Sequence, residues 1–173
     1  MMASDPTKEA TFREAIRQGL QAQQERGLEP CALEIGCGAF ALFSGICLEE
    51  GARNVVAVES NVEAAARARA RLRDAQGAQV FTGLSTELCA ARLGVEDALP
   101  SLVVMETVGD WAANEFMVST FLDARGRICR DDALWIPGQV KTCFAPVGVP
   151  RWDVLGGAVT LPPGLWLLGS DIS

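Results

Sequence analysis

Histidine and tyrosine are missing from all 173 residues, and the six cysteines (Cys31, Cys37, Cys47, Cys89, Cys129, Cys143) include no CxxC pair. Without imidazoles or paired thiols the chain offers no zinc ligand set, so no metal is expected. The same gap weakens a nicotinamide-dependent oxidoreductase, which lacks its usual proton donors here. Long apolar runs are also absent: none approaches the ~18 to 20 residues that cross a bilayer, and the first eight residues lack the basic flank and apolar stretch of a signal peptide. The expectation is a cytoplasmic protein that makes no use of a membrane. Positive charge is in deficit, with 15 Lys and Arg against 22 Asp and Glu and a net charge of -7. That balance argues against direct binding of nucleic acid and suits a cationic partner. Four of the cysteines lie in or beside apolar runs, which reads as buried thiols rather than a disulfide framework.

What is present is a globular composition, 49% apolar and 21% charged, on a length that fits one domain. Residues 4–26 carry Phe12, Ile16 and Leu20 four apart and end at Gly27, which predicts a leading helix lying on the domain. Strand-like runs then alternate with helical ones. CALEI (31–35), NVVAVE (54–59), AQVFT (78–82), SLVVME (101–106) and ALWIP (133–137) are the strands. Helices are expected up to residue 50, from 62 to about 75 behind the N-cap Asn61, and after Asn114, where Met117, Phe121, Ala124 and Ile128 form one apolar face. This order predicts an α/β fold, a doubly wound parallel sheet covered on both faces. Beyond Cys143, prolines and glycines break the periodicity. The expected organisation is a leading helix over 1–27, a ligand-binding domain over 28–147, and 148–173 as a tail or the first strands of a further domain.

The segment ALEIGCGAF puts Glu34 and Gly36 at the end of the first strand and Gly38 in the turn into the next helix. Glycines there let a ligand approach the backbone, and the helix N-terminus adds donors. Glu59, ending the second strand, can accept both hydroxyls of a ribose. Gly36, Gly38 and Ala41 also fit the dinucleotide pattern, with Glu59 23 residues beyond Gly36. Glu34 favours the other choice, because a carboxylate beside a pyrophosphate repels it, whereas it can bind the cationic end of S-adenosylmethionine or order the loop. A glycine turn without a ligand also stays open on these residues.

The fourth strand ends in Glu106, and Glu115 follows nine residues later, at the start of a helix. Two carboxylates facing one another across such a loop suit a planar guanidinium, whose five donors fork onto each of them. Taken singly, Glu115 reads more simply as a first-turn acid and Glu106 as a strand-end surface residue.

With EIGCGAF, NVVAVE, STEL (85–88), METVGDWAANEFMVSTFLDAR (105–125) and ALWIPGQVKTCFAPV (133–147), the chain resembles the protein arginine methyltransferases over residues 8–147. The resemblance implies the Rossmann-like cofactor domain of a class I methyltransferase, without the β-barrel that follows it in the family. It implies S-adenosyl-L-methionine as cofactor, lined by Glu34, Gly36 and Gly38, with Glu59 on its ribose and Ser85, Thr86 and Glu87 near its adenine. Lys8 stands where the family has an arginine that pairs with the cofactor's carboxylate, keeping the charge but losing the fork. Glu106 and Glu115 become the catalytic pair that holds an arginine of a protein or peptide, in the cytoplasm or the nucleus. The sequence departs from the family at Phe40, which replaces the third glycine of the loop, and in having no tyrosines to close over the cofactor. A methyltransferase-like binding module without activity of its own and a small-molecule methyltransferase remain alternatives. The apolar fragments around Trp152, Leu155, Leu165, Trp166 and Leu167 suggest self-association or a partner subunit.

Overall fold

The five strand-like runs become five parallel strands. A computed structural model describes residues 6–108 and 115–143. Its elements in chain order are α1 (Pro6–Glu25), β1 (Cys31–Ile35), α2 (Leu42–Glu49), β2 (Asn54–Glu59), α3 (Val62–Leu72), β3 (Ala78–Thr82), a 3-10 turn (Ser85–Glu87), α4 (Ala90–Leu93), β4 (Leu102–Met105), α5 (Met117–Arg127) and β5 (Leu134–Ile136). The sheet order is β3-β2-β1-β4-β5, all parallel. The order reverses at β1, so β1 and β4, neighbours in space, are fed from opposite directions. In open sheets ligands bind at the carboxyl ends of strands at such a switch point.

Strand side chains alternate between two cores. Cys31, Leu33 and Ile35 of β1 join Val56, Val58, Val103 and Met105 on the face covered by Leu93 of α4, Ala124 of α5 and Ile128 just after it. Ala32 of β1 joins Val55, Leu102 and Val104 on the other face, under Ile16 and Leu20 of α1 and Phe43, Ile46 and Cys47 of α2. α3 packs on this second face too, with Ala68 and Leu72 against Ala57. Fully burying a side chain such as Leu33 or Leu102 stabilises the fold by roughly 1.5–3 kcal/mol. The double winding predicted from the sequence is therefore present.

α1 lies on the sheet because of its sequence. Phe12, Ile16 and Leu20 form the buried stripe, and Gly19 lets the helix come close, since a Cβ there would stand 2.8 Å from Leu102 Cδ1. The buried Gln23 donates to the carbonyl of Ser101, and Arg13 reaches Glu49 and Glu50 at the end of α2. The helix after β2 starts as the sequence predicts: Asn61 accepts from the Ala64 amide at 2.9 Å. Gly77, in the turn after α3, has φ +82, and a Cβ there would stand 1.9 Å from the carbonyl oxygen of Arg53. Four cysteines, Cys31, Cys37, Cys47 and Cys129, are buried thiols, and burial pushes Cys31 up to about 11.

The chain divides into two compact units, Met1–Val140 and Lys141–Ser173. The proposed tail at 148–173, with its apolar fragments, lies outside the described residues. No helix among the described residues is long and apolar enough to cross a membrane.

Candidate functional site

Glu59 organises the turn after β1. Its Oε2 accepts from the Gly38 amide at 2.8 Å and its Oε1 from the Asn61 amide at 2.7 Å, while its carbonyl accepts from Gly83 at 2.9 Å. One residue thus joins the loops that follow β1, β2 and β3. Gly36 and Gly38 have φ of +76 and +60, a left-handed region that glycine enters without strain. The amides of Gly36 and Cys37 both donate to the Val58 carbonyl, which folds the turn over β2.

Phe40 does not fill this turn. Its ring is 58% exposed, and the residue that meets the tight backbone is Ala41, buried with φ +42 at the start of α2. The strained position therefore falls one residue after the phenylalanine, on Ala41, whose Cβ carries the cost of roughly 1–2 kcal/mol that the left-handed region imposes.

Glu34 alternates away from the α5 face and is buried beneath α2. Its Oε2 accepts from the Ser44 amide at 2.7 Å and from the Ser44 hydroxyl. Burial raises the carboxyl to about 7, against the lowering effect of the Ser44 bonds. In this geometry Glu34 orders the entry to α2. Ser44 was not singled out from the sequence, although it is the one hydroxyl in the apolar run LFSGIC and the strand brings an acid beneath it.

The loop after β4 meets the loop after β1. Lys8 Nζ, from the first turns of α1, lies 2.7 Å from Glu106 Oε1, both side chains partly shielded. Thr107 packs its Cγ2 against Gly36, where a Cβ would come within 2.9 Å, and its buried Oγ1 has no hydrogen-bond partner among the described residues. The structure therefore brings Lys8, Glu106, Gly36, Gly38, Glu34 and Glu59 to one end of the sheet. Glu115 is exposed, one residue before Phe116, which starts α5 with φ +58. Residues 109–114, which lie between the two glutamates in the sequence, are outside the described residues.

Ser85, Thr86 and Glu87 form the 3-10 turn after β3, with Ser85 buried and the other two exposed. This turn is held from the far end of α5. Arg127 donates to the carbonyls of Leu88 at 2.8 Å and Ser85 at 3.1 Å, and its Nε and Nη2 fork onto Asp123. No sequence signal marked Arg127, because an arginine late in a helix reads as a favourable charge on the dipole. Phe12, the only aromatic before the loop, stacks on Phe43 at 4.4 Å and belongs to the core.

No protein-family model and no curated protein matches the sequence. Solved structures do. Trypanosoma brucei PRMT1, in an enzyme-prozyme heterotetrameric complex with AdoHcy, matches with a TM-score of 0.65 at 22% identity, over 78% of this chain and 39% of that one. Arabidopsis thaliana protein arginine methyltransferase 10 matches with a TM-score of 0.62 at 21% identity, over 78% of this chain and 36% of that one. The chain therefore spans under two-fifths of the length of either protein. What the likeness shows is the fold: a five-stranded parallel α/β domain of the kind found in arginine methyltransferases.

Proposed function

We propose that this chain binds S-adenosyl-L-methionine at the carboxyl ends of β1, β2 and β4 and transfers its methyl group to a guanidino nitrogen of an arginine in a protein or peptide. The observation that carries the reading is the ion pair at Glu106. A carboxylate at the switch point of the sheet, against the glycine turn, already takes a side-chain cation at 2.7 Å.

The residues suit the cofactor. Gly36 and Gly38 leave a cradle without Cβ atoms, the buried Thr107 Oγ1 has no partner among the described residues, and Glu34, Glu59 and Glu106 stand against the cation Lys8 around a ligand that carries a sulfonium. Lys8 would face the cofactor's carboxylate, Glu59 its ribose hydroxyls, and Ser85, Thr86 and Glu87 its adenine, while Glu34 would hold the loop. The bound cofactor supplies an electrophilic methyl group. Glu106 and Glu115 would take the guanidinium in two forks and aim one nitrogen at it. Positioning of this kind supplies roughly 7 to 11 kcal/mol of a barrier. Because arginine is protonated below a pKa of ~12, a carboxylate must also take up the proton lost on transfer, and Glu106 would accept it. Lys8 must leave Glu106, or share it, when the guanidinium enters.

A second reading is a module that binds the cofactor but acts only with another subunit. The enzyme-prozyme assembly of the trypanosome neighbour favours it. Incubation with labelled cofactor and an arginine-rich peptide, beside calorimetry with S-adenosylhomocysteine, separates the two. Transfer supports the enzyme, heat without transfer supports the module, and neither signal at millimolar ligand removes both.

A further inference from the structure

Arg127 is the most fully engaged arginine among the described residues, and none of the roles above uses it. Its Nε and Nη2 lie 2.8 and 2.6 Å from the two carboxylate oxygens of Asp123, one helical turn earlier, which fixes the guanidinium plane. The donors left over reach off the helix. Nη1 meets the Leu88 carbonyl and Nη2 the Ser85 carbonyl, the two ends of the turn that follows β3. That turn is joined on its other side to Glu59, whose carbonyl accepts from Gly83. The backbone of residues 83–88 is therefore pinned at both ends, by the strand that carries Glu59 and by α5.

The identity of the side chain matters. Lysine presents a single point of donation and cannot span two carbonyls while forked onto a carboxylate. A short apolar side chain would leave the Ser85 and Leu88 carbonyls without this donor. The guanidinium is partly exposed, so the clamp adds little to global stability. Its effect falls instead on a four-residue segment whose own backbone bonds, from the Glu87 amide to Leu84 and from the Leu88 amide to Ser85, are internal to the turn.

We propose that Arg127 is a positioning residue of the cofactor site, which holds the backbone of Ser85 to Leu88 in the conformation that recognises the adenine base. The inference rests on the reading of this turn as the adenine-contacting segment. It goes beyond that reading by assigning recognition of the base to a residue on the helix that begins beside Glu115.

The test compares the intact chain with Arg127→Met and Arg127→Lys, using S-adenosylhomocysteine and its inosine counterpart S-inosylhomocysteine as calorimetric probes and thermal melting as the fold control. Arg127→Met should bind the adenosyl ligand about tenfold more weakly, the equivalent of one lost charge-assisted hydrogen bond. Binding of the inosyl ligand should change less than about twofold on the same scale, so discrimination between the bases shrinks. Arg127→Lys should recover part of the discrimination. Unchanged discrimination in Arg127→Met, or equal loss for both ligands, overturns the proposal while leaving the cofactor reading in place. Failure of the wild-type chain to bind either ligand overturns both.

Discussion

Lys8 and Glu106 meet at 2.7 Å, joining the start of the first helix to the end of the fourth strand. Both side chains are partly exposed, so the pair is worth at most about 1 kcal/mol. Its significance is chemical: a cation is held where the guanidinium is proposed to dock.

Glu106→Gln should lower methyl transfer to an arginine peptide by more than about a hundredfold, a loss within the range for removing a positioned base and charge. Affinity for S-adenosylhomocysteine should stay within about threefold, less than the tenfold that corresponds to 1.4 kcal/mol. Single-turnover transfer and calorimetry on the same preparation check both halves. Turnover near the wild-type rate would remove Glu106 from the mechanism.

Glu34 titrates against the fold. Its carboxyl is raised from the ordinary 4.5 to about 7, chiefly by burial, so between those values the folded protein holds a proton that the unfolded chain releases. Stability should therefore fall as pH rises from about 4.5 to about 7 and level off above. Glu34→Gln, which cannot ionise, should lack this component of the slope. Thermal melts of the two proteins across the window decide it, and identical slopes would contradict the assignment.

Phe116 starts α5 in the left-handed region while 77% exposed, so it carries strain and returns little burial. Phe116→Gly should raise stability by about 1 kcal/mol, the cost of a side chain at positive φ. Phe116→Ala keeps the Cβ and should not. Urea midpoints of both variants make the comparison.

Gly77→Ala should have the opposite effect. The added Cβ would collide with the carbonyl of Arg53 at a positive φ, costing more than about 2 kcal/mol because backbone must move on both sides. A chain that melts within a degree or two of wild type would show that this turn can open.

Which of these features were legible in the sequence follows from how local they are. β1, β2 and β3 have the boundaries read from CALEI, NVVAVE and AQVFT, because each is a short apolar or β-branched run bounded by glycine or polar residues. The buried stripe of α1 was legible from the spacing of Phe12, Ile16 and Leu20, and the cap of α3 from Asn61. The glycine turn was legible as a turn, but its detail was not. Ala41 rather than Phe40 takes the strained position, since a pattern fixes which residues are small and not which φ each adopts. Ser44, Thr107 and Arg127 were missed for a common reason. Each acts on a partner in a different element, and sequence spacing within one element carries no information about such pairs. Lys8 could be placed by resemblance, but only the docking of α1 reveals which carboxylate it meets.

The bonds of Glu59 have one more consequence. Its two carboxylate oxygens and its carbonyl fasten three successive loops before any ligand arrives. The conformational entropy of those loops is settled during folding, so a ligand meets a rigid cradle and forfeits less on binding. The same economy makes Glu59 a poor residue for dissecting function. Replacing it would loosen the cradle and remove the proposed ribose acceptor together, and a single loss of affinity could not be divided between them.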